Sequence, residues 1–114
     1  MDLKIRSKNF AHQYVKLALD LPTNKLGKHV EGQLIRCSTS VAANYRAACL
    51  AQTKKGFVSK LSIVIEESDE CIFWIEFLKD EELVRGSELD KVLNEARELT
   101  AIFISSRITA SKNL

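Results

Sequence analysis

Between Gln33 and Ala48 the chain has no proline, and its alanine, leucine, glutamine and arginine offset the weaker helix formers, so one continuous helix is the cheapest backbone. Placed on a helix, Val30, Leu34, Cys37, Val41, Tyr45 and Ala48 form one seam, and Ile35, Ala42 and Cys49 widen it. A third line, Arg36, Ser40, Ala43, Ala47 and Leu50, carries a single charge. Such a segment is apolar or small nearly all round. It must therefore be enclosed on more than one side, and this restricts the chain to an architecture with a central, multiply packed helix.

The neighbouring segments supply the packing partners. Leu3, Phe10, Tyr14, Leu17 and Leu21 define a first helix over about 3–21, stopped by the constraint that Pro22 places on Leu21. The central helix runs over about 27–51, its start blurred by Gly27 and Gly32. With Thr53 as cap, a third helix spans 54–83 on the seam Phe57, Leu61, Val64, Ser68, Cys71, Ile75, Leu78. Off that seam, Ile63, Trp74 and Phe77 make a second apolar patch, interrupted by Glu67 and Glu70. After Arg85-Gly86-Ser87, a fourth helix over 88–111 aligns Leu89, Val92, Ala96, Leu99 and Phe103, with Ser87 and Asp90 as a start signal close to a capping box. Residues 112–114 are expected to fray. The expected fold is all-α: a single up-down-up-down antiparallel four-helix bundle over 1–114. Apolar residues on two faces of the second and third helices predict closed homo-oligomers, with Tyr45, Ile63, Trp74 and Phe77 as interface residues.

With 114 residues, 46% of them hydrophobic, the chain can bury one core. Met1 to Arg6 lacks the apolar run of a secretion signal, and no segment reaches the roughly 18 apolar residues of a membrane span, so a cytoplasmic protein is expected. Cys37 and Cys49 lie twelve residues apart on one helix, about 18 Å, and cannot pair. Neither His12 nor His29 has an acid partner in sequence, and there is no zinc signature, phosphate loop or nucleophile elbow. Reduced cysteines used as small core residues, no metal, no cofactor and no enzymatic activity are the corresponding expectations.

Charge is unevenly spread. Residues 1–60 hold eleven Lys or Arg against three Asp or Glu, and residues 61–114 hold six against twelve. If the second and third helices form a hairpin turning at Gln52 and Thr53, facing residue numbers sum to about 105. Arg36 is then level with Asp69 and Glu70, with Gln33 a turn further on. An arginine on a nearly uncharged helix facing a carboxylate cluster suits an ion pair that fixes helix register, in a polar network of Gln33, Arg36, Asn44, Glu67 and Glu70. For Asn44 two readings stand: a contact to ligand or RNA, and a cross-helix or intersubunit hydrogen bond. Tyr45 and Trp74 could stack on bases, although their seams also suit packing. Arg46, Lys54, Lys55 and Lys60 form the candidate nucleic-acid footprint.

The run Thr39-Ser40-Val41-Ala42-Ala43-Asn44-Tyr45-Arg46-Ala47-Ala48 is followed by Phe57, Lys60-Leu61, Glu66-Glu67-Ser68-Asp69-Glu70 and Phe73-Trp74-Ile75-Glu76-Phe77-Leu78. Together these resemble the four-helix-bundle family named after proteins encoded in 23S ribosomal RNA intervening sequences, closely over 30–80 and in pattern beyond. Many relatives carry an acid at the place of Ala47 and a glycine at that of Ala48, so a role resting on that acid does not transfer. The family name records where such genes were found and describes no activity. The resemblance implies a homopentamer and, through related bundles that accompany reverse transcriptases, a non-enzymatic accessory protein binding structured RNA or DNA by a basic surface repeated around a ring. The alternative is a protein-interaction scaffold presenting the acidic face of residues 66–82.

Overall fold

The computed structural model describes residues 2–112 and 114. Four helices account for nearly all of them: α1 (Leu3–Leu19), α2 (Lys25–Cys49), α3 (Lys54–Asp80) and α4 (Ser87–Ser111). Among the described residues there is no strand, and no helix is long and apolar enough to cross a membrane. The tail expected to fray includes Asn113, which lies outside the described residues.

Each boundary has a local cause. Asp2 caps α1 by accepting the Lys4 amide at 2.7 Å. The helix closes at Leu19, two residues short of the expected Leu21, because the amides of Asp20 and Leu21 fold back onto the carbonyls of Leu17 and Ala18 before Pro22. Asn24 caps α2 through the Gly27 amide at 2.8 Å, which sets the start at Lys25. Thr53 does the same for α3 through Gly56 at 2.9 Å. The expected run of α3 to Leu83 ends at Asp80 instead. There Glu82 takes φ +52°, its amide bonds to the Lys79 carbonyl, and the Leu83 amide bonds to the Leu78 carbonyl. That is a Schellman ending with glutamate in the seat that glycine usually fills. Ser87 is the first residue of α4 and not its cap; Gly86, at φ +118°, precedes it, and no side chain caps this end.

The core lies along the inner seams. Phe10, Tyr14, Val30, Leu34, Val41, Leu61, Val64, Ile75, Leu99 and Phe103 are shut off from solvent. α2 packs on α1 and α3, α3 packs on α4, and α1 meets α4 along a sparser seam. There the Tyr14 hydroxyl donates to the Val92 carbonyl at 2.9 Å, and Arg6 bridges Glu95 (2.7 Å) and Glu98 (2.9 Å). At 17 residues α1 is about 26 Å long, whereas the 25 residues of α4 reach about 38 Å. Beyond Phe103 α4 has no buried residue among those described.

Two glycines of α2 illustrate opposite requirements. A Cβ on Gly27 would collide with the Pro22 carbonyl, whereas one on Gly32 would meet nothing within 4 Å. Gly27→Ala is therefore expected to destabilise the fold by about 2–3 kcal/mol. Gly32→Ala should stabilise it by up to about 1 kcal/mol. Thermal denaturation followed by circular dichroism checks both.

Candidate nucleic-acid interface

α2 and α3 are joined by only Leu50 to Thr53, so the last turn of one and the first turn of the other share an end of the molecule. Arg46, Lys54, Lys55 and Lys60 gather there, all exposed, and none is within ion-pairing distance of a carboxylate among the described residues. The two lysines open α3, where the helix dipole is positive and cations are disfavoured by about 0.3–1 kcal/mol each. Exposed amides and ammonium groups thus add to one positive potential, an arrangement poor for helix stability and well suited to attracting phosphate.

Further along the hairpin lies a polar network. The Arg36 guanidinium pairs with Glu67 at 2.8 Å and with Glu70, and it donates to Gln33 Oε1 at 3.3 Å. Asp69 is left in solvent, since only positions 67 and 70 share the face of α3 turned to Arg36. Asn44 does not join: its amide donates to the Ser40 carbonyl (3.0 Å) and hydroxyl (2.9 Å), both one turn back in its own helix. The network continues to Trp74, whose indole N–H donates to Glu70 at 3.4 Å.

Around Trp74 stands an aromatic cluster that sequence reading grasped only in part. Phe73 and Phe77 lie 5.0 and 6.0 Å from it, centroid to centroid, and His29 of α2 meets it edge-on at 5.4 Å. Phe73 is 51% exposed and Ile63 38%. The expected interface set divides here. Ile63, Trp74 and Phe77 share the outer face of α3, but Tyr45 turns inward and lies 5.3 Å from Phe103. Burial, and after it the neighbouring Cys49, pushes the Tyr45 phenol up to about 12. An inward, half-buried ring is not available to stack on a base.

The Glu70 carboxyl is held below its usual range, first by the hydrogen bond from Arg36 and further by that from Trp74, against partial desolvation. A depressed folded pKa means stability that is present above the ordinary carboxylate range and lost as pH falls through the folded value. Glu70→Gln should therefore melt below the parent at neutral pH, and the gap should close on acidification. Melting curves across that range check this.

Among the described residues no group of His, Cys, Asp and Glu is arranged to hold a metal. The four basic side chains sit at the α2–α3 turn, and the aromatic cluster lies further along α3, toward its other end.

A search of curated proteins returns no match. Among solved structures, the fold is similar to a protein of unknown function from the S23 ribosomal protein family of Bacteroides thetaiotaomicron VPI-5482. The two share 28% identity over 93% of this chain and 98% of the other, with a TM-score of 0.81. The family model described as 23S rRNA-intervening sequence protein matches residues 1–105. A match over that span, on a four-helix chain carrying the motifs of α2 and α3, makes the protein a member of the 23S rRNA-intervening sequence protein family.

Proposed function

We propose that the protein is a non-enzymatic, cytoplasmic accessory protein that binds structured RNA or DNA through the basic end of a homo-oligomer, a pentamer by family resemblance. Each subunit is one bundle domain running up, down, up and down. That course is supported by the α3–α4 contacts, whose numbers fall in one helix as they rise in the other: Ser68 with Thr100, Glu76 with Arg97, Lys79 with Asp90. The exposed Ile63 and Phe73, beside the half-buried Trp74 and Phe77 on α3, support self-association.

The observation that carries the reading is the separation of charge this course creates. Residues 2–10, 38–66 and 101–112, which it gathers at the α2–α3 turn, hold nine Lys or Arg and two Asp or Glu. The other half of the bundle holds eight and thirteen. Repeated around a ring, the positive end becomes a multivalent site for phosphate.

Light scattering should return a multiple of the 12.9 kDa chain mass, and a labelled structured RNA should bind in an anisotropy titration. A monomer, or no binding to RNA or DNA at low salt, would overturn the proposal. The second reading, a scaffold recognised through acidic residues 66–82, draws on the other end of the same separation. Recovery of one defined protein from nuclease-treated lysate, without nucleic-acid binding by the purified protein, would select it.

A further inference from the structure

We propose that Cys37 and Cys71 form an oxidative modification site, in which a hydroperoxide converts two core thiols into a disulfide joining α2 to α3. Their sulfurs stand 3.0 Å apart, the Cys71 thiol donating to Cys37 and the Cys37 thiol pointing at the Leu34 carbonyl, 3.8 Å away. A disulfide needs about 2.05 Å, so a closure of about 1 Å suffices. Cys37 follows Arg36 and Cys71 follows Glu70, so this pair sits inside the hairpin at the level where the ion pair holds it outside. The cross-link would fix the register that the ion pair already sets.

The step balances with hydrogen peroxide as co-reactant. One sulfur attacks a peroxide oxygen, the O–O bond breaks, and a sulfenic acid and one water result. The second sulfur displaces the sulfenic oxygen as another water and the S–S bond forms. Sulfur is oxidised, peroxide is reduced, and both thiol protons end on water. Both thiols are fully enclosed, and burial, with Cys37 alongside, holds the Cys71 thiol far above its usual range. Reaction therefore waits on opening of the α2–α3 packing, and in a reducing compartment the pair rests as two thiols. Cys49, exposed and about 18 Å from Cys37 along α2, can react at once but cannot take part.

The test uses the full chain with Cys49→Ser, treated with hydrogen peroxide in sub-denaturing urea. The expected product is lighter by two hydrogens and yields Cys37 and Cys71 peptides joined in a non-reducing digest. It melts on the order of 10 °C higher until dithiothreitol is added. Adding Cys71→Ala removes the link. If both thiols stay titratable, or one runs on to sulfinic acid with no link formed, the proposal fails on the mass measurement alone.

Discussion

Phe103→Ala should lower stability by about 3–5 kcal/mol and the melting temperature by on the order of 15 °C. Phe103 is the last buried residue of α4, fully enclosed, and its ring supports Tyr45 across the bundle at 5.3 Å. Truncation leaves a cavity in a close-packed core that the surrounding side chains can fill only in part. Ile104, the next residue, is 42% exposed. Its change to alanine should cost less than about 1 kcal/mol. Thermal melts of the two variants, separated by one position, measure how sharply the core stops.

The second large effect concerns binding. Lys54→Glu combined with Lys55→Glu should weaken RNA binding by at least about 100-fold and remove about two from the salt slope. Stability should move the other way, because carboxylates in the first turn of α3 complement its dipole, by about 0.3–1 kcal/mol each. Neither lysine has an ion-pair partner to lose among the described residues. A variant that binds poorly while melting no lower separates a functional patch from a structural one. Equal binding by variant and parent would remove these lysines from the interface.

The inward faces of the helices were readable because period 3.6 needs no context. Val30, Leu34, Cys37 and Val41 on α2, and Leu61, Val64, Ser68, Cys71, Ile75 and Leu78 on α3, are all buried. The end of α3 was not readable: glycine is the usual mark of a left-handed stop, and here Glu82 takes that seat. Asn44 was misplaced because a short amide reaches its own helix backbone more cheaply than a neighbour. Tyr45 was assigned to an interface because a seam does not say which partner it meets; its ring lies against Phe103 of α4. His29 with Trp74 and Cys37 with Cys71 escaped notice, although their numbers sum to 103 and 108, close to the hairpin value.

Affinity for a structured RNA, measured on the intact protein across a salt series, tests the central claim most directly. With at least four cations per subunit facing phosphate, log affinity should fall against log salt with a slope of about −3 or steeper. A slope near zero, or no binding at the lowest salt, would contradict a basic end built to hold nucleic acid.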